Sequence, residues 1–153
     1  MNDLSNRMQR VQVLAVSPLE SDHTTLAHIF GHTAWDIRNA HSLREASVKL
    51  LEDAPPIVLC EDKLPDGTWK DLYALIESLN DKHYLIVTSQ FADERLWAEV
   101  LNLGAYDVLA KPYRAKEVFD TIGQAWRHCM DCRKTVGRSS FSSSKVYTAG
   151  AVA

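Results

Sequence analysis

The stretch Ile57-Val58-Leu59-Cys60-Glu61-Asp62 places four consecutive apolar residues directly before two acidic ones. Two further apolar runs of the same length lie at 13–16 and 84–87. A strand that is covered on both faces needs no polar side, so continuous runs of this kind are typical of parallel sheets packed between helices. Weaker strand candidates lie at 35–40 and 107–110. The sequence therefore predicts five strands.

Amphipathic stretches alternate with these runs, and their apolar residues recur at the three- and four-residue spacing of one helix face. They predict helices over 21–30, 42–52, 70–79, 93–103 and 114–130. Ser42 and Glu45 predict a capping box at the second helix, and Gly104 follows the fourth, where a glycine commonly ends a helix. Leu51 and Leu103 are assigned to the core faces of these two helices. The alternation predicts βα units with right-handed crossovers, and hence an α/β fold with a doubly wound five-stranded parallel sheet.

The composition is that of one globular domain. The chain has 153 residues, of which 46% are apolar and 24% are charged, both close to the globular average. We predict a single domain over 9–130 and a flexible Ser- and Gly-rich tail over 131–153. With 17 basic and 20 acidic residues, the formal charge of −3 gives no overall attraction to nucleic acid or to an anionic membrane surface.

Three further features favour the cytoplasm. No apolar run approaches the roughly 20 residues that a membrane helix needs. The first ten residues lack the apolar segment of a secretory signal. The three cysteines are an odd and sparse set, which fits a reducing compartment better than a disulfide framework. We therefore expect a cytoplasmic protein with no membrane partner and no nucleic-acid partner.

The functional site of such a sheet is expected beyond the carboxyl ends of its strands. No Gly-rich phosphate loop follows the first strand, which argues against nucleotide and flavin binding, and no Gly-x-Ser-x-Gly elbow indicates a hydrolase. The residues that do follow the strands are an acidic pair, a hydroxyl and a cation followed by proline. The candidate site residues are Ser17, Pro18, Glu61, Asp62, Thr88, Lys111 and Pro112.

Three segments, 57–67, 85–89 and 104–113, resemble the receiver domains of two-component response regulators. The last one is the most specific, because it carries the order Gly-Ala-x-Asp-x-x-x-Lys-Pro-aromatic. The resemblance covers about residues 10–128. It implies the (βα)5 flavodoxin-like receiver fold, a role in phosphorelay signal transduction rather than as an enzyme, and a cis peptide before Pro112.

In that family an Asp four residues before the loop proline accepts a phosphoryl group, and two acidic residues after the first strand hold Mg²⁺. A Thr or Ser at the end of the fourth strand and the Lys before Pro bind the phosphoryl oxygens. Thr88 and Lys111 match this pattern. Glu61 stands at the phosphoacceptor position instead of Asp, and the acidic pair is replaced by Ser17 and Pro18.

These departures predict an atypical receiver. Mg²⁺ is held by oxygen ligands, usually carboxylates, whereas Ser17 offers a neutral hydroxyl and Pro18 has no side-chain ligand. We therefore expect no metal and no cofactor. Glu61 is one methylene longer than Asp and can reach Lys111 without any phosphorylation, which would hold the pocket in one state. Trp69 also stands in the loop where the family usually has glycine.

Two alternatives stay open at this point. The first is an ordinary phosphoreceiver that uses Asp62 or Glu61, with Mg²⁺ recruited by Glu20 or Asp22. The simpler interpretation of Asp22, or of its neighbour Ser21, is a helix N-cap. The second alternative, from another class, is a small flavodoxin-like enzyme or flavin carrier.

The partner of an atypical receiver is expected to be a protein. Trp97 and Leu101 lie beside the core stripe of the fourth helix, and aromatic residues are enriched at interface cores. Val108 occupies the position at which many receivers carry a Tyr or Phe that changes rotamer. We assign these three residues to a partner surface of the fourth helix, fifth strand and fifth helix, which would bind a protein or a second copy. A histidine kinase is a further candidate partner. The 23 residues after Met130 are too few for a helix-turn-helix output domain, so a stand-alone receiver is expected.

Overall fold

The computed structural model describes residues 11–80 and 82–138, and the side chains of these residues except 133–138. The strands are β1 Gln12–Val16, β2 Asp36–Ala40, β3 Ile57–Glu61, β4 Tyr84–Ser89 and β5 Asp107–Ala110. These five parallel strands form one sheet in the order β2-β1-β3-β4-β5. This is the doubly wound order of flavodoxin-like folds, as the sequence predicts. A small antiparallel hairpin, Lys63–Leu64 with Gly67–Thr68, follows β3.

Five helices cover the two faces of the sheet. They are α1 Glu20–Phe30, α2 Leu43–Asp53, α3 Trp69–Ser78, α4 Glu94–Leu103 and α5 Ala115–Arg138. Apolar residues of α1 and α5 form a core with one face of the sheet, and those of α2, α3 and α4 form a second core with the other face. Because side chains alternate along a strand, Ile57 and Leu59 enter the first core, whereas Val58 and Cys60 enter the second.

The helix starts explain several polar residues near the strand ends. Ser42 Oγ accepts a hydrogen bond from the Glu45 amide at 3.1 Å, as predicted, but the Glu45 carboxylate accepts from the amide of His41 instead of Ser42. Only half of the predicted capping box therefore forms. A complete capping box begins α3, where Thr68 and Asp71 cap each other.

Three apolar residues lie elsewhere than predicted. Leu51 is 69% exposed and Leu103 is 48% exposed, because the buried stripes of their helices pass through Leu50 and Val100 instead. Leu51 directly follows Leu50, and a helix turns by about 100° per residue, so Leu51 points away from the buried stripe. Leu103 is the last residue of its helix. Trp69 is the first residue of α3 rather than a loop residue, and it is 1% exposed in the core.

The last helix is longer than predicted. It continues to Arg138, eight residues beyond the predicted end at Met130, so the first part of the predicted tail is helical. The buried stripe through Ile122, Ala125 and Cys129 continues its spacing beyond Met130 to the half-buried Cys132. Residues 139–153 of the predicted tail lie outside the described residues. None of the described helices is both long enough and apolar enough to span a bilayer.

Candidate functional site

Four predicted site residues lie together at the carboxyl edge of the sheet. Ser17 follows β1, Glu61 ends β3, Thr88 lies near the end of β4 and Lys111 follows β5. Glu61 and Thr88 are direct partners in the register of β3 and β4. Each of the four comes two residues after a side chain of the α1/α5 core, namely Ala15, Leu59, Ile86 and Leu109. Alternation along the strands therefore aims all four at the face that α1 covers.

Lys111 lies at the centre of this group. Its Nζ is 2.5 Å from Glu61 Oε2 and 2.8 Å from Asp22 Oδ2, and its side chain is only 6% exposed. Thr88 Oγ1 donates to the same Glu61 oxygen at 3.2 Å. The contact between Glu61 and Lys111 that the sequence suggested is therefore present, and it is joined by a second carboxylate.

Asp22 has a role that the sequence interpretation did not assign to it, because its carboxylate contacts Lys111. The N-cap of α1 is Leu19, which makes no side-chain capping bond, so the N-cap interpretation of Asp22 is wrong. Asp22 is buried instead, and its Oδ2 accepts from Ser17 Oγ at 2.6 Å as well as from Lys111. The spacing of Asp22, Leu26 and Phe30 at i, i+4 and i+8 could have shown that this acid lies on the buried face of α1.

The charges of the site do not balance. Two carboxylates face one ammonium, and all three side chains are largely buried. Burial raises the pKa of Glu61 and the nearby Asp22 adds to the rise, while Lys111 and Thr88 partly oppose it. Burial alone would lower the pKa of Lys111, but hydrogen bonds to Asp22 and Glu61 outweigh burial, so the pKa of the ammonium is raised. Lys111 therefore stays charged at neutral pH and supplies the positive charge between the carboxylates.

The donor set does not fit Mg²⁺. Mg²⁺ demands octahedral oxygen ligation, and the Lys111 ammonium already contacts one oxygen of each carboxylate. Glu20 does not reach the site, because its Oε2 lies 3.0 Å from His41 Nε2. Within 11–80 and 82–138, no group of three or more His, Cys, Asp or Glu side chains is arranged to hold a metal ion.

Asp62 is not brought into this group. Its backbone amide donates to the Thr88 carbonyl at 2.9 Å, and its carbonyl accepts from the Trp69 amide at 3.2 Å. Its side chain lines a groove of about 530 Å³ with Phe91 and Arg95, among other residues. Since neighbouring strand residues point to opposite faces, Asp62 stands apart from Lys111.

The segment after β5 holds Lys111 in place. The Lys111 amide donates to the Ser89 carbonyl at 2.9 Å, and the peptide between Lys111 and Pro112 is cis, as the family resemblance implied. Tyr113 packs against the α1/α5 core, and burial raises the pKa of its phenol. The backbone at Lys111 is therefore held by its hydrogen bond to Ser89 and by the packing of Tyr113.

The predicted partner surface is only partly a surface. Trp97 is 39% exposed and Leu101 is 52% exposed on the outer side of α4. Val108, by contrast, is 5% exposed and packs in the core with Leu96 and Val100. Its assignment to the surface is wrong, because the Val108 side chain faces the core between the sheet and α4.

Comparisons with known proteins point to one fold. No protein-family model matches the sequence. Response regulator protein PilR of Pseudomonas aeruginosa is 24% identical over 120 residues, which cover 78% of this chain. The match covers 27% of PilR, so the chain spans about a quarter of the length of that relative.

Solved structures match over most of the chain. The signal receiver domain of a putative LuxO repressor protein from Vibrio parahaemolyticus superposes with a TM-score of 0.77 at 20% identity, over 82% of this chain and 97% of that one. Chemotaxis response regulator CheY4 of Vibrio cholerae gives a TM-score of 0.69 at 17% identity, over 76% and 98% of the two chains. The sheet order, the cis-proline segment and these superpositions agree with the resemblance in the sequence. The chain therefore has the fold of a response regulator receiver domain.

Proposed function

We propose that this chain is a receiver module of two-component signal transduction that binds a protein partner without being phosphorylated, and that it performs no catalytic step of its own. One observation carries the proposal. A single oxygen, Glu61 Oε2, accepts hydrogen bonds from both Lys111 Nζ and Thr88 Oγ1. The family resemblance assigns these two side chains to a phosphoryl group, so a built-in carboxylate takes the contacts that phosphorylation would otherwise supply.

The charges of the site also oppose phosphorylation. A phosphoryl group that approached Glu61 would meet two carboxylates, because Asp22 shares the same ammonium. Metal ions normally neutralise the charge that develops in phosphoryl transfer. Ser17 donates its hydroxyl hydrogen to Asp22, Pro18 is exposed and has no side-chain ligand atom, and Lys111 occupies the contacts that a cation would need.

A direct phosphotransfer assay tests this proposal. The purified protein is incubated with Mg²⁺ and a small acyl phosphate, and the bound phosphate is measured by intact mass. We expect no labelling of the wild type. The matched control is the triple variant Ser17→Asp, Pro18→Asp, Glu61→Asp, which rebuilds the acidic pattern of the family and should become labelled when Mg²⁺ is present. Stoichiometric labelling of the wild type would refute the proposal and favour the ordinary phosphoreceiver.

The proposed partner surface is the exposed part of α4. Trp97 and Leu101 lie four residues apart on one side of the helix and are both substantially exposed. Sedimentation over a concentration series tests whether the partner is a second copy. In that case Trp97→Ala should weaken self-association, whereas Leu51→Ala, on the distant α2, should leave it unchanged. A wild type that stays monomeric would exclude a second copy as the partner at this surface.

A further inference from the structure

His41 contacts two helices next to the ion-pair site, which is formed by Lys111, Glu61 and Asp22. It follows β2, and its ring lies between the first turns of α1 and α2. Its Nε2 is 3.0 Å from Glu20 Oε2 on α1, and its Nδ1 is 3.3 Å from Glu45 Oε2 on α2. The ring of His23, also on α1, lies 4.5 Å away between centroids. The titratable groups that face His41 are therefore Glu20 and His23 from α1 and Glu45 from α2.

The two carboxylate contacts favour a proton on both ring nitrogens of His41. An ionised carboxylate only accepts hydrogen bonds, and a neutral imidazole has one N–H and one lone pair. A neutral His41 could satisfy Glu20 or Glu45, but its lone pair would then face the other carboxylate. Both contacts are favourable at once only for the imidazolium form.

His23 differs from its neighbour. Its Nε2 lies 2.8 Å from the Ser17 carbonyl, which can only accept, so Nε2 carries the hydrogen. Its Nδ1 is buried and has no hydrogen-bond partner among the described residues, and the whole residue is 2% exposed.

We propose that His41 is a proton-operated clamp, which fastens α1 to α2 when its ring is protonated and releases one of the two helices when the proton is lost. The clamp goes beyond the proposed function and does not depend on it. The hydrogen bond to Glu20 raises the pKa of His41. Burial opposes this rise, and the hydrogen bond and the charge of Glu45 add to it. The change of state therefore falls above the ordinary value of 6.5.

The clamp is connected to the ion-pair site through α1. Glu20, which His41 holds, lies two residues before Asp22 in the same helical turn. His23 contacts the Ser17 carbonyl, and the Ser17 hydroxyl donates to Asp22 Oδ2. Loosening the start of α1 at high pH is expected to alter the environment of this turn without breaking the contact between Lys111 and Glu61.

A histidine titration by NMR on the full chain tests the clamp. The ring proton signals are followed from pH 5 to pH 9, and His41 is assigned by its loss in His41→Gln. We expect a His41 midpoint above 6.5 in the wild type and a lower midpoint in the double variant Glu20→Gln, Glu45→Gln. The matched control is Glu52→Gln, an exposed acid at the other end of α2, which should leave the midpoint unchanged.

A second readout separates a clamp from a merely charged histidine. The backbone amide signals of residues 20–23 should shift with the same midpoint as the His41 ring, and His41→Gln should abolish that shift while the circular dichroism spectrum is retained. A His41 midpoint at or below 6.5 would overturn the proposal. The same holds if the double variant keeps the wild-type midpoint, or if the amides of residues 20–23 do not follow His41.

Discussion

Replacing Lys111 by Met should unbalance the buried site. The substitution keeps a long unbranched side chain but removes the cation that contacts both Glu61 and Asp22, whose side chains are 14% and 10% exposed. Removing one partner of a buried ion pair costs about 3–5 kcal/mol, because an uncompensated charge is left behind. That loss is a large fraction of the roughly 5–15 kcal/mol by which a domain is usually stable.

Urea unfolding, followed by circular dichroism, measures this cost as a lower midpoint at an unchanged slope. Lys70→Met is the matched control, because Lys70 Nζ is 2.6 Å from Glu99 but both side chains are substantially exposed. Exposed pairs of this kind contribute about 0–1 kcal/mol. We also expect the deficit of Lys111→Met to shrink as the pH falls, since the pKa of Glu61 is raised and protonation of Glu61 removes the repulsion between the two carboxyl groups.

A rescue variant makes the test specific for charge. Adding Asp22→Asn and Glu61→Gln to Lys111→Met removes both carboxylates, so most of the lost stability should return. The reasoning would be refuted if Lys111→Met cost no more than Lys70→Met, or if the triple variant were as unstable as Lys111→Met alone.

Three further predictions concern the site and the fold. The pKa of Glu61 is raised in the folded state, so the folded protein binds this proton more tightly than the unfolded chain. The free energy of unfolding therefore falls as the pH rises from the ordinary pKa of Glu through the pKa of Glu61 in the folded protein. Glu61→Gln should flatten this fall, measured as urea midpoints between pH 4 and pH 7, and a pH dependence equal to that of wild type would contradict the prediction. Leu50 is 1% exposed and its neighbour Leu51 is 69% exposed. In the same unfolding assay, Leu50→Ala should therefore cost about 2–5 kcal/mol and Leu51→Ala less than about 0.5 kcal/mol. Equal losses of stability would contradict the orientation of α2 on the sheet. Gly104 ends α4 with a φ of +101°, and a Cβ there would lie 2.6 Å from the Tyr73 hydroxyl. Gly104→Ala should therefore lower the stability by at least about 1 kcal/mol. A neutral or stabilising result in thermal melts would exclude the left-handed backbone conformation at Gly104.

The strands and the approximate helices could be predicted because their signals are local. The run Ile57-Val58-Leu59-Cys60 is apolar throughout and becomes β3, while β5 has the predicted bounds, Asp107–Ala110. Leu51 and Trp69 could not be placed in the same way. Which face of α2 is buried, and whether Trp69 begins a helix or stays in the loop, depends on how each helix docks on the sheet.

The residues that end the predicted strands also determined most of the site. Parallel strands end at one edge of the sheet, and side chains alternate along each strand, so Glu61, Thr88 and Lys111 had to lie near one another. Two departures from the family pattern, Glu61 and the pair Ser17 and Pro18, are visible in the sequence alone.

Only the tertiary structure decided what surrounds the Lys111 ammonium. Asp22 is far from Lys111 in the sequence, and the docking of α1 on the sheet turns its carboxylate into the site. The same docking places the His41 ring between Glu20 and Glu45, which belong to different helices. Local patterns fix which residues form strands and helices, but the distance between two side chains on different elements depends on how those elements pack. For that reason the residues at the strand ends could be read from the sequence, whereas the charge balance that sets their chemistry could not.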